Sequence, residues 1–212
     1  MDDYAAAHKP DTLDRVHDDN TACRVCEAFA QDGYRKPAEM MRGDAGRIAI
    51  VGQNPGRQEV LIGRAFSGPA GRRLDEWLRG TVPENTPPRQ GVYLTATVKC
   101  LANERHYTQM LSRCHPFLRR QLAILRPVLV ITLGARAFNA LRFDSSLDYR
   151  SSLCTVLSSK HFLVVPPLGV HFDLMPWPHP SGLNRDLNDE YTQKRLSESF
   201  DIVAALRRET TR

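Results

Sequence analysis

Three short apolar runs constrain this chain more than anything else in it. They are Arg47-Ile-Ala-Ile-Val-Gly52, Val92-Tyr-Leu-Thr-Ala-Thr-Val98 and Val128-Leu-Val-Ile-Thr-Leu133. A half-exposed strand alternates apolar and polar residues. A run without alternation is a strand covered on both faces. Helical patterns separate the runs. Gly68 to Gly80 has Leu74, Trp77 and Leu78 on one face and Pro69 in its first turn. Residues 108–125 place Leu111, Leu118, Leu122 and Leu125 inward, and Pro127 ends that helix. Gly134 turns into a helix that runs through Leu141, Phe162-Leu-Val-Val165 reads as a fourth strand, and a Pro-rich loop over 166–186 leads to a last helix over about 187–208. Strands alternating with helices predict an α/β fold. We expect a three-layer α/β/α arrangement around a central four-stranded, mainly parallel sheet.

The chain has 212 residues. At roughly 150 residues per domain this is one domain. We expect a polar N-terminal segment over 1–20 and a single domain over 21–212. Apolar residues make up 42% and charged residues 25%, which suits a packed globular domain and excludes a disordered or fibrous chain. No apolar run approaches the ~20 residues of a membrane helix. Met1 to Asp19 lacks a basic stretch leading into an apolar one, so no secretory leader is read and a cytoplasmic location is expected. The balance of 29 Lys+Arg against 24 Asp+Glu is mildly basic. Its skew towards Arg suits phosphate geometry.

In open parallel sheets ligands bind beyond the carboxyl ends of the strands. The loops at 52–68, 99–107 and 174–186 are therefore the informative ones. Gly52-Gln-Asn-Pro-Gly56 lets a backbone approach a ligand closely, and Asn54 can orient a water or bond a base edge. Pro178-His-Pro-Ser-Gly-Leu-Asn-Arg185 holds His179 rigidly between two prolines, offers Ser181 and Arg185 to phosphate, and ends in an apolar tip at Leu183. Five cysteines in a reducing compartment argue against disulfides. Cys23 and Cys26 form a CxxC; Cys100 follows the second strand and Cys114 lies early in the next helix. Four thiolates suit an iron–sulfur cluster or a zinc ion, and unconnected thiols are the third reading. Cys154 is the leftover.

Together these pieces resemble the uracil-DNA glycosylase superfamily, especially its iron–sulfur branches, over residues 21 to 206. Gly52-Gln-Asn-Pro-Gly56 stands at the family's first motif. Gly63-Arg-Ala-Phe-Ser-Gly-Pro-Ala-Gly-Arg-Arg-Leu74 is similar to its G-x-P-F-x-G-x-A-G-x-L-L segment. Lys99-Cys100 keeps a strand-end dipeptide, and His179-Pro-Ser stands at the second motif. The chain also departs from the pattern. Gln53 stands where the iron–sulfur enzymes carry Glu, and Asn54 where the best known uracil enzymes carry Asp. Asn54 and Ser181-Gly-Leu-Asn-Arg185 resemble the mismatch-specific branch instead. Ala96 replaces a uracil-reading Asn.

The resemblance implies excision of uracil, or another deaminated base, from DNA by a monofunctional glycosylase that flips the base into a pocket. It implies that Phe66 stacks on the base and His179 donates to uracil O2. Asn54 would orient the attacking water, with Gly52, Gln53, Pro55, Gly56 and Ala96 around the substrate. Ser181, Gly182, Leu183, Asn184 and Arg185 would meet DNA, with Leu183 filling the vacated space. Arg105 and His106 would touch phosphates. Cys23, Cys26, Cys100 and Cys114 would hold a [4Fe–4S] cluster, or zinc. An amide at position 54 cannot act as an anionic base, so slower chemistry than in a carboxylate enzyme is expected. The alternative is a protein that binds uracil or abasic DNA with little turnover. A zinc-stabilised nucleotide-binding protein is a third reading. A monomer with DNA as its partner is expected.

Overall fold

The computed structural model describes residues 11–29, 46–102, 104–142, 144–162 and 170–209. Five strands form one sheet: β1 (Ile48–Gly52), β2 (Val92–Ala96), β3 (Leu129–Leu133), β4 (Leu157–Phe162) and β5 (Val170–Trp177). Their order is β2-β1-β3-β5-β4. The pairs β1–β2, β1–β3 and β3–β5 are parallel. Only β4, at the edge, runs antiparallel to β5. Every position of β1, β2 and β3 is buried, so both faces of the sheet are covered, as expected of such runs.

The helices are α1 (Leu13–Ala22), α2 (Arg57–Ile62), α3 (Pro69–Arg79), α4 (Tyr107–Leu125), α5 (Ala135–Leu141), α6 (Tyr149–Ser152) and α7 (Glu190–Glu209). Leu74 and Leu78 of α3, Leu118 and Leu122 of α4, and Leu196 and Val203 of α7 join the strands in one core. Burying an aliphatic side chain of this size contributes ~1.5–3 kcal/mol.

The expected count of four strands is corrected to five. The fourth parallel strand is β5, inside the stretch read as a Pro-rich loop. Within the run proposed for that strand, Phe162 ends β4, and residues 163–165 lie outside the described residues. The expected boundary after residue 20 falls within α1. That helix starts at Thr12, whose hydroxyl accepts from the Arg15 N–H. It is held to α4 by Arg120, which bonds both Asp11 and Asp19 at 2.7 Å. Buried His17 meets the Tyr93 hydroxyl at 3.1 Å. These contacts carry the first two cysteines to the sheet.

Candidate active site

The chain passes from β1 to β2 on one side, then crosses over β1 to β3. This reversal opens a crevice at the carboxyl ends of the strands. Gly52 and Ala96 pair across β1 and β2 at that end, and His179 lies two residues beyond β5. There a cavity of about 250 Å³ is lined by Gln53 to Gly56, Phe66, Ala96 and His179, with Glu59, Ala65, Ala70 and Thr95. Two distant sequence motifs thus meet in one pocket.

Phe66 is fixed from several sides. Its backbone takes a φ of +51°, which few non-glycine residues adopt. The Arg89 guanidinium donates to the Phe66 carbonyl at 2.6 Å and to the Ala65 carbonyl at 3.2 Å. A forked pair with Asp75, at 2.5 and 2.9 Å, holds Arg89 in turn. Gly71 packs so tightly that an added Cβ would lie 1.8 Å from the Phe66 carbonyl oxygen. A Cβ on Gly52 would meet the Phe66 ring at 2.9 Å. Gly52 therefore makes room for the Phe66 ring, and Gly71 for its backbone.

The His179 ring has a defined proton. The Ser181 N–H donates to its Nδ1 at 3.2 Å. A backbone N–H can only donate, so Nδ1 is the acceptor and the neutral ring carries its proton on Nε2. Burial holds its pKa below the ordinary value. Gly134, at φ +84°, passes behind it, where an added Cβ would stand 3.0 Å from the His179 Cβ.

The loop after His179 is knitted by its own polar groups. Asn184 donates to the His179 carbonyl at 3.0 Å and accepts from the Asp186 N–H at 3.2 Å. The Ser181 hydroxyl accepts from the Leu183 N–H at 3.2 Å. Gly182 has open space around it, Arg185 is exposed, and the Leu183 side chain stands 93% exposed.

In the first motif, the Asn54 amide donates to the Pro55 carbonyl at 2.9 Å, which leaves its oxygen as an acceptor. The Gln53 carbonyl is occupied by the Val98 N–H and the Thr97 hydroxyl. Glu59 is the residue that the sequence reading missed. One of its oxygens accepts from the Gly56 N–H at 3.0 Å, the other from the Gly68 N–H at 2.8 Å. It latches the two loops that bound the pocket and places a carboxylate in its wall. The signal was a Glu three residues after an N-cap glycine, the spacing of a capping box.

The four cysteines Cys23, Cys26, Cys100 and Cys114 border a separate small cavity with Asn20, Arg24 and Arg113. Among the described residues no three His, Cys, Asp or Glu side chains are drawn in as around one ion. The donor set still fits a metal group. Burial raises the Cys26 and Cys114 thiols and pushes Cys100 up to about 12; a bound cation would favour their thiolates. Asn20, 1% exposed, has an amide nitrogen with no partner among the described residues. Sulfur acceptors in that cavity would satisfy it. Lys99 is buried between the two sites. Its ammonium donates to Thr95, Ala96 and Gln121 at 2.5–2.8 Å, and burial pushes its pKa down to about 7. Its N–H donates to the Cys114 sulfur at 3.5 Å. Arg105 and His106 lie at this end of the molecule and do not line the first pocket. His106 stacks on Phe29 at 4.7 Å and meets Gln109 at 3.2 Å.

The crevice at the sheet reversal, with its clamped ring and Nε2–H donor, defines an α/β domain with a preformed pocket. The sequence profile of the uracil DNA glycosylase superfamily matches residues 42–199, and the chain belongs to that superfamily. It is similar to type-4 uracil-DNA glycosylases. It is 31% identical over 127 residues to that of Saccharolobus solfataricus, covering 58% of this chain and 56% of the relative. It is 32% identical over 126 residues to that of Archaeoglobus fulgidus, covering 58% and 60%. It is 39% identical over 95 residues to that of Thermotoga maritima, covering 44% and 47%. The chain thus spans about half the length of the curated relatives it matches.

Proposed function

We propose that this protein is a monofunctional glycosylase that removes uracil, or another deaminated base, from DNA. One observation carries the reading: a single cavity gathers the first motif, the clamped Phe66 ring and the Nε2–H donor of His179, four residues before the exposed Leu183. Leu183 enters the stack as the nucleotide leaves it. Phe66 stacks on the flipped base, an interaction of ~1–3 kcal/mol. As the bond between C1′ and N1 breaks, its electron pair moves onto the base. His179 donates to O2 as that charge grows, and a donor so placed contributes ~2.7–4 kcal/mol. Asn54 accepts a hydrogen bond from the attacking water through its amide oxygen; the water adds to C1′, and its surplus proton passes to the departing base anion through solvent. The negative charge of Glu59 favours the cationic sugar, a task the amide at position 54 cannot perform. No Lys is among the described residues that line the pocket, which supports hydrolysis without a Schiff base, so that the strand stays intact until the abasic site is cleaved by alkali. Ser181, Gly182, Asn184 and Arg185 meet the backbone around the wedge, and Arg105 and His106 meet it farther out.

Cys23, Cys26, Cys100 and Cys114 would hold a [4Fe–4S] cluster. When bound it would tie α1 to the 99–114 segment, and metal analysis distinguishes it from zinc. A monomer belongs to the same reading, since flipping one nucleotide needs one subunit. A cytoplasmic site of action belongs to the same reading; no helix among the described residues is long and apolar enough to cross a membrane.

The test is incubation with a uracil-containing oligonucleotide, then hot alkali and a denaturing gel. A cut band with more product than protein establishes turnover, and Asn54→Ala and His179→Ala should each weaken it at least tenfold. The absence of a cut band overturns uracil excision. Tight retention of the strand without free uracil would instead favour a lesion-binding protein.

A further inference from the structure

A second groove, of about 350 Å³, lies beside the wedge loop. Arg73, Trp77, Asn188, Gln193 and Phe200 are among the residues that line it, and it shares Gly182 and Asn184 with that loop. One helix, α3, borders both the groove and the first pocket. Ala70 borders the first pocket, while Arg73 and Trp77 border the groove. The steps of three and seven residues from Ala70 keep all three near one face of α3, and at 1.5 Å per residue the groove begins roughly 5–10 Å from the pocket. The aromatic rings are held in place. Trp77 meets Trp177 edge-on at 5.9 Å, and Phe200 meets it at 5.5 Å. Trp177 is fully buried and stands two residues before His179, so one strand end organises both sites.

The groove's chemistry is selective. Among the described residues that line it there is one guanidinium and no carboxylate. Its amides sit next to aromatic surface. The Gln193 amide nitrogen donates to the Leu187 carbonyl at 2.6 Å, which leaves its oxygen as an acceptor. Aromatic surface for stacking, amides for a base edge and an Arg for phosphate make up the recognition set of single-stranded nucleic acid.

We propose that this groove binds a base of unpaired DNA adjoining the flipped nucleotide. The inference rests on the proposed function and adds to it a preference for single-stranded uracil DNA. In a duplex the neighbouring base stays paired and the groove is not used.

Ser197 borders the groove from the exposed face of α7, so Ser197→Trp fills it without entering the core. Binding is read by anisotropy on a single strand bearing a non-hydrolysable 2′-fluoro-deoxyuridine, and excision on the natural strand and its duplex. Ser197→Trp should weaken single-strand binding about tenfold, the loss of one stacked base. It should raise KM, leave kcat unchanged and leave duplex excision unchanged. Replacing one neighbouring base of the strand by an abasic spacer should weaken wild-type binding equally. Adding the variant to that spacer should cost nothing further. Trp77→Leu, checked for folding by circular dichroism, should reproduce the pattern. Wild-type binding and excision that Ser197→Trp leaves intact on the single strand overturn the groove alone. Additive losses from variant and spacer also overturn it, as would a loss shared by the duplex. Failure of the wild-type protein to bind or cut any uracil strand overturns the proposed function and the groove with it.

Discussion

The Ser181 N–H donates to Nδ1 of His179 at 3.2 Å, and this bond sets the tautomer of the neutral ring. It fixes Nε2–H as the outward donor, and the prolines on either side keep the ring where the bond can form. A protonated ring would carry hydrogen on Nδ1 and lose the bond. Burial already holds the pKa below 6.5. The neutral donor therefore persists through neutral pH, and kcat should stay flat from alkaline pH down past 6.5, then fall. The stability effect has a definite sign. Between 6.5 and the lower folded value, the unfolded chain binds a proton that the folded chain does not, so stability drops as pH falls through that window. His179→Ala should lower kcat about 100- to 1000-fold and erase the acidic limb. Single-turnover excision across pH reads both.

Glu59 joins Gly56 to Gly68 through its two carboxylate oxygens. Glu59→Gln keeps the shape but can accept only one of those N–H groups well, and it removes the charge. We expect a stability loss of about 1 kcal/mol from the unpaired N–H. We expect kcat to fall about tenfold, ~1.4 kcal/mol of barrier. Urea denaturation and single-turnover rates separate the two effects. Unchanged kcat with lowered stability would reduce Glu59 to a latch.

Much of this was legible in the sequence. β1, β2 and β3 announced themselves as unbroken apolar runs, and the two motif loops follow strand ends as the parallel-sheet rule requires. β5 lacks such an unbroken run: Val170, Phe172 and Leu174 alternate with His171 and Asp173, a strand signal in itself, but Pro176 speaks against an interior strand and the stretch read as a Pro-rich loop. The structure shows why Pro176 is tolerated. The β4 ladder reaches Leu174, so no strand partner needs the missing N–H, while the Pro176 carbonyl accepts from the Cys154 N–H at 2.7 Å. Arg89 was invisible for another reason. Its partners are two backbone carbonyls and an Asp far along the chain, and no spacing rule reports such a contact.

Arg89 should govern the pocket through Phe66. Lys in its place can reach Asp75 but not also both carbonyls, because an ammonium lacks the planar fork. Two charge-assisted bonds of ~1.5–3 kcal/mol each are then at stake. With partial recovery by the Lys, we expect Arg89→Lys to lower Tm by about 5–10 °C. The released Phe66 backbone should leave its left-handed conformation, so KM for a uracil strand should rise more than kcat falls. Thermal melts and steady-state kinetics check this. Equal losses in kcat and kcat/KM with KM unchanged would show that the ring is not a binding surface.

Asn20 offers a check on the metal group that does not depend on activity. Its amide nitrogen is buried beside the four cysteines without a partner among the described residues. Such a donor left unsatisfied costs about 1–3 kcal/mol; a sulfur acceptor removes most of that cost. Asn20→Leu fills similar volume and removes the donor. If a cluster is bound, the variant should keep its fold while its visible absorbance bleaches faster in air and its reduction potential falls, since hydrogen bonds to sulfur tune that potential. Conversely, removing the metal with a chelator should loosen α1, because Cys23 and Cys26 tether its C-terminal end. Hydrogen exchange should then rise over residues 13–26 and stay slow in β1 and β3. A colourless wild-type protein with one zinc per chain would reassign the site to a single ion. Equal bleaching and an equal potential in wild type and Asn20→Leu would leave Asn20 without a role at the metal.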